Sequence, residues 1–413
     1  MKNILSIVMA LMAACAIHAQ DMTGSWQGDL DIGGQKLGIV FKFSKTAEGT
    51  DLAKMDVPAQ GAADIPLTIA YISKDSLSLE MKKLNMAYTG RIEGELIKGT
   101  FLQNGMSLPL ELKQGKPAPP NRPQTPKKPY PYQTQEVTFS NAPAHVTLAG
   151  TLTYPTDYKP GKHVPVVLMV TGSGAQKRDE GIFDHNPFLV IADYLARNGI
   201  ASLRYDDRGV GLSTGTFKGS TTKDFAQDAE AGIVYLRKSK QFGSVGILGH
   251  SEGGLIAFML GAEKAVDFIV SMAGPALQGD SIIAEQTNAM LHYYGKPANQ
   301  TVAKVHEAIA NGPKDAWQDY FINCDPTPYI RQITVPLMAI NGSKDHQVLP
   351  DSNLKKIEAL QKNGNKKNLI KEYPGLNHLF QHCESGMGDE YWKIEETISP
   401  EVLSDIAAWI HRL

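Results

Sequence analysis

Cysteine is almost missing from these 413 residues, with only Cys15, Cys324 and Cys383 present. The last two, far apart in a large domain, read as independent buried side chains rather than a disulfide, and no Cys/His spacing suggests a metal centre. A surplus of either charge is missing too. Lys and Arg number 41 against 43 Asp and Glu, so the net charge of −2 gives no general attraction for nucleic acid or anionic membrane. Long apolar runs are also lacking, since no later stretch reaches the roughly 18 residues that cross a bilayer. One shorter run, Ile4 to Ile17 in "MKNILSIVMALMAACAIHAQ", follows a single Lys and ends near the small Ala19. That pattern resembles a secretory signal peptide over 1–19, so an exported protein, periplasmic or extracellular, is expected. "LMAAC" also loosely resembles a lipoprotein cleavage site with Cys15 as the lipidated residue, although cleavage after Ala19 is favoured.

What is present divides the chain in two. Hydrophobic residues at 42% and charged residues at 20% are ordinary for a folded protein, and this length exceeds one ordinary core. "GKPAPPNRPQTPKKPYPY", 115 to 132, carries seven prolines, which fix φ and remove backbone donors. It is expected to be a semi-rigid, extended linker over 115–131. Before it, within 20–114, six short alternating runs are separated by turn residues: "LGIVFKF", "IPLTIAYI", "SLSLEM", "AYTGRI", "LIKGTFL" and "LPLEL". They predict a small all-β domain, barrel or sandwich. Gly24-x-Trp26 resembles the start of lipocalin-like barrels, and a Trp there reads as a plug for the barrel end.

Over 132–413 the rhythm changes to continuous apolar runs alternating with helical stretches. "VPVVLMV", "IASLRY", "SVGILG", "DFIVSMA", "VPLMAI" and "NLIKEY" predict buried strands of a mostly parallel sheet covered on both faces, an α/β fold. Ligands of such sheets bind beyond the carboxyl ends of the strands. After "SVGILG" stands Ser251, with Gly249 two residues before it and Gly253 two after. A plain glycine-rich turn would account for that spacing. The sharper reading is a nucleophile elbow, whose neighbours must lack bulk for the serine to turn. After "VPLMAI" stands Asp345, and after "NLIKEY" stands His378. Serine, acid and histidine then follow in the order of an α/β-hydrolase, each at the end of its own strand. A serine hydroxyl is a poor nucleophile without a base, and the base needs a carboxylate to fix its tautomer. Backbone N–H groups of Glu252, and of Ser173 or Gly174 in "TGSGAQ", are the expected oxyanion donors.

Rivals exist for each partner. His382 and His346 compete with His378, and Asp351 competes with Asp345 but reads as a helix N-cap. "DDRG" after one strand reads as an Asp–Arg brace, and "KRDE" at 177–180 as a solvated loop with internal ion pairs. Residues 278–323 are expected to form a helical cap, in which Tyr293, Tyr294 and Trp317 are candidate substrate contacts or packing residues.

"GHSEGG", "TGSGAQKRDE", "RYDDRGVGLST" and "YPGLNHLF" together resemble the EstD-type bacterial carboxylesterases of the α/β-hydrolase superfamily, over nearly the whole mature chain. The resemblance implies an N-terminal β domain, a serine esterase for short acyl esters, and no metal or organic cofactor. By motif its catalytic positions fall on Ser251, Asp345 and His378. Cys324 in "FINCDPTPYI" stands where an aromatic or aliphatic residue is expected. The expected partner is a small-molecule acyl ester. Two alternatives stay open: a serine peptidase of the prolyl oligopeptidase or aminopeptidase type, with Glu252 or Glu180 anchoring a substrate amino terminus, and a non-catalytic lipid- or glycan-binding protein.

Overall fold

The computed structural model describes residues 22–32, 35–58, 62–115 and 120–413; the expected signal peptide, the expected cleavage after Ala19 and Cys15 lie outside the described residues. Contacts divide the chain into two units with the border between Pro119 and Pro120.

The first unit is a closed antiparallel barrel of eight strands in chain order: β1 (Gly24–Ile32), β2 (Gln35–Lys45), β3 (Asp51–Val57), β4 (Ala62–Ile72), β5 (Ser76–Met81), β6 (Met86–Glu93), β7 (Leu96–Gln103) and β8 (Met106–Gln114). β1 closes on β8 through Trp26↔Gln114 and Gln27↔Lys113. Alternation explains the interior, because inward positions bury Trp26, Tyr88, Ile97 and Phe101 while their neighbours are more exposed. The Trp26 indole donates to the carbonyl of Met22 (3.0 Å), which satisfies its one polar atom inside the barrel. Two of these strands lie outside the six expected runs. β1 and β3 carry Asp and Lys at outward positions, which breaks up their apolar signal.

The second unit holds an eight-stranded sheet. Its strands are β9 (Thr134–Asn141), β10 (Val146–Thr153), β11 (Val166–Val170), β12 (Ala201–Tyr205), β13 (Val245–His250), β14 (Ile269–Met272), β15 (Leu337–Gly342) and β16 (Leu369–Tyr373), in the order β16-β15-β14-β13-β11-β12-β10-β9. β11 to β16 are mutually parallel; β9 and β10 add an antiparallel hairpin at one edge. α1 (Pro187–Arg197) and α9 (Pro400–His411) cover one face, against Val167, Met169 and Leu248. α2 (Thr222–Ser239), α3 (Glu252–Ala262) and α8 (Pro350–Leu360) cover the other, against Val166, Leu168 and Ile247. Both faces of each central strand are therefore buried, which is why those segments read as unbroken apolar runs.

Between β14 and β15 the chain forms α4 (Gly279–Tyr293), α5 (Val302–Asn311), α6 (Ala316–Asn323) and α7 (Thr327–Gln332). Asp351 lies in the first turn of α8, one residue past Pro350, and pairs with Lys355 at the surface; the residue at the N-cap is Leu349. Cys324 and Cys383 are both free. Among the described residues no helix is long and apolar enough to cross a membrane.

Candidate active site

The strand order reverses direction around β11. The chain leaves β11 for β12 on one side and returns past it to β13 on the other, so the loops after β11 and β13 diverge and leave a crevice between them. Ser251 stands at that crevice as the N-cap of α3, with φ 54° and ψ −118°, a conformation that a serine holds only under constraint from its surroundings. A Cβ on Gly249 would overlap the carbonyl oxygen of Gly253, and one on Gly253 would overlap that of Val170. The backbone N–H of Ser251 donates to the carbonyl of Met272 (2.8 Å), which ties the elbow to β14. The helix behind it is buried from Glu252 to Gly261, so the elbow has no room to relax.

Asp345 and His378 come from the loops after β15 and β16. His378 Nδ1 lies 2.7 Å from Asp345 Oδ2. The other carboxylate oxygen accepts from the backbone N–H groups of Gln347 (2.8 Å) and Val348 (2.9 Å). Both residues are almost fully buried. The rivals are placed elsewhere: His346 Nε2 faces the carbonyl of Ser385, and the exposed His382 pairs with Glu396.

Ser251, Glu252, His378 and Ser173 line one cavity of about 310 Å³ with Gly172, Gln176, His250 and Gln347. Its apolar side is formed by Ile282, Ile283, Trp317 and Phe321 from α4 and α6. Gly174, with φ 100°, lies one residue beyond the lining. Tyr293 and Tyr294 are not brought to this cavity; they sit exposed at the end of α4 and pack edge-on against each other. Trp317 is different. Its indole donates to Glu252 Oε1 (2.8 Å), and its ring stacks on Phe321 at 5.1 Å. Glu252 Oε1 also accepts from Thr222 (2.6 Å), and burial pushes this carboxyl above its ordinary range.

One charged loop follows expectation and one does not. Asp206 pairs with Arg178 and Arg208 with Asp228 on α2 (2.6 Å), so "DDRG" is braced by buried Asp–Arg pairs whose partners stand on other elements. Residues 178–180 are not a solvated loop with internal pairs. Arg178 is held by Asp206 and Glu136, Asp179 pairs with Arg204, and Glu180 is buried against His250. Each finds its partner across the fold, which lets the loop pack down on the sheet.

The family described as serine aminopeptidase, S33, matches residues 183–314. Esterase EstD of Thermotoga maritima is 25% identical over 290 residues, 68% of each chain. Among solved structures, an esterase of Pyrococcus furiosus superposes with a TM-score of 0.49 at 16% identity, covering 71% of this chain and 98% of that one. Est1E from Butyrivibrio proteoclasticus gives 0.44 at 14% identity, covering 67% and 99%.

Proposed function

We propose that this chain, an EstD-like α/β-hydrolase with an N-terminal β-barrel, is an exported serine carboxylic ester hydrolase that acts on short-chain acyl esters through an acyl-enzyme. One observation carries the reading: Ser251 at a strained elbow shares a single cavity with His378, whose other ring nitrogen is fixed by the buried Asp345.

In this mechanism His378 Nε2 takes the Ser251 proton as Oγ attacks the ester carbonyl, and Asp345 stabilises the imidazolium that forms. The N–H of Glu252 is the first of α3 and lacks an intrahelical acceptor, so with the N–H of Ser173 it can receive the developing oxyanion. His378 then returns the proton to the leaving alcohol, and a water activated by the same base releases the acid. The modest cavity, walled by Ile282, Ile283 and Phe321, supports a short acyl group. The opening residues, with their Lys and apolar run, support export.

Ser251→Ala is expected to leave the fold intact and cut turnover of p-nitrophenyl acetate by about 10⁴- to 10⁶-fold. Retention of a tenth of the activity would remove Ser251 from the chemistry. A second reading, a serine peptidase, draws on Glu252, a cavity carboxyl next to the nucleophile that could face a substrate ammonium. Aminoacyl-p-nitroanilides assayed beside p-nitrophenyl esters separate the two.

A further inference from the structure

His250, the last residue of β13, is nearly fully buried and stands between two acceptors. Its Nδ1 is 3.0 Å from Glu180 Oε1, and its Nε2 is 2.9 Å from the carbonyl oxygen of His378. A neutral imidazole has one N–H, so it would leave one of these contacts as two facing lone pairs inside the protein, which is costly. Two donors exist only on the imidazolium. Glu180 Oε1 also accepts from the N–H of Gly172 at 2.7 Å. A single carboxylate thus gathers the loop that begins the expected oxyanion site, while the ring it holds gathers the base loop. Gly172 has little slack, because a Cβ there would lie 3.2 Å from Ser251 Cβ and 3.4 Å from Glu180 Oε1.

We infer that Glu180 and His250 form a second carboxylate–imidazolium pair that positions Ser251 between the oxyanion loop and the base loop, with His250 kept charged through the reaction. The inference rests on the serine-hydrolase reading above. Its electrostatic consequence is specific. The rings of His250 and His378 are 4.7 Å apart, centroid to centroid. When His378 takes up the serine proton, two imidazolium ions lie side by side, and each then has its own carboxylate: Asp345 for His378 and Glu180 for His250. Without Glu180, like charges would oppose proton transfer.

The charged groups facing His250 are Glu180 from the loop after β11 and the His378–Asp345 pair from the loops after β16 and β15, with Asp207 and Glu252 next beyond Glu180. Behind it, Phe188, Met272, Leu379, Phe380 and Ile398 are apolar. Burial opposes its charge, but the Glu180 carboxylate and the His378 carbonyl outweigh burial and hold the imidazolium above its ordinary range.

Glu180 and His250 are positioning residues, so the test reads kcat, KM and charge separately. Glu180→Gln keeps an acceptor oxygen for Gly172 and His250 but removes the counter-charge. With p-nitrophenyl acetate, kcat should fall about 10- to 100-fold with KM within twofold, and the alkaline limb of kcat should move to lower pH. An unchanged kcat, or a loss confined to KM, overturns the inference. Nitrogen-15 NMR of histidine-labelled full-length wild type at pH 8 gives a second reading that needs no turnover. One histidine, absent from the His250→Gln spectrum, should show both ring nitrogens protonated; a singly protonated His250 overturns the inference. If wild type hydrolyses no ester at all, the functional reading fails, while the NMR result still decides the state of His250.

Discussion

Burial carries the carboxyl of Asp207 up to about 7, against the pull of its hydrogen bonds from the Gln176 N–H (2.8 Å) and the Thr171 hydroxyl (3.1 Å), with Glu252 and Glu180 adding repulsion. Unfolded, the same group ionises near its ordinary value of 3.8. Between those limits the folded chain keeps a proton that the unfolded chain has lost, so this residue makes stability fall as pH rises through the window. Asp207→Asn keeps both bonds, the amide donating to the Thr171 oxygen, and abolishes the titration. Its melting temperature should exceed that of wild type at pH 8.5 and approach it at pH 4.5; an equal difference at both pH values would contradict the assignment. Residues of this kind were hidden in the sequence. Ser251, Asp345 and His378 were legible because each stands in the turn or loop after a strand that the apolar pattern marks. Glu180 and His250 stand 70 positions apart, and His250 stands 128 from the carbonyl it holds, so no local pattern announces either contact.

α6 is a short helix that owes its place to its N-terminal end. Asp315 caps it, accepting from the N–H groups of Trp317 (2.9 Å) and Gln318 (3.2 Å), and Trp317 reaches from its first turn to Glu252. Trp317→Phe removes one donor from a buried carboxyl, a loss on the order of 1–3 kcal/mol. The expected result is a lower melting temperature and a KM for p-nitrophenyl butyrate raised several-fold, because Ile282, Ile283 and Phe321 would no longer face a fixed indole. Unchanged KM across acyl lengths would separate α6 from substrate binding. Element types follow the same physical logic. The parallel strands β11 to β15 were legible since both faces are buried, whereas β9 and β10 were not: "TQEVTFSN" alternates with an exposed, polar side, as an edge strand does, and the buried β10, "VTLAGTLT", has its apolar residues broken up by threonines. β3 escaped for the same reason, its inward Ala53, Met55 and Val57 interleaved with Lys54 and Asp56.

For the whole molecule, the segment after Pro120 matters more than its proline content suggested. Arg122 donates to the carbonyls of Phe183 (2.7 Å), Trp392 (2.9 Å) and Ile394 (2.8 Å), and the Gln124 side chain both donates to the carbonyl of Ile398 and accepts from its N–H. The 391–399 stretch these residues hold lies beside the base loop, since Gln381 donates to Glu396 and the Ser399 N–H to Phe380. A fragment starting at Pro120 should therefore be monodisperse and turn over p-nitrophenyl acetate, while one starting at Tyr132 should melt several degrees lower and lose turnover. Equal melting and activity of the two fragments would show these bonds to be dispensable. Arg122→Ala in the full chain should lower the melting temperature in the same direction. The seam at which this chain can be cut and respliced is thus offset from the seam its composition displays. A chimaera that grafts another leading module onto the second unit would have to join ahead of residue 120, and a shuffled lineage that broke inside the proline run would hand on a unit already missing one of its clasps.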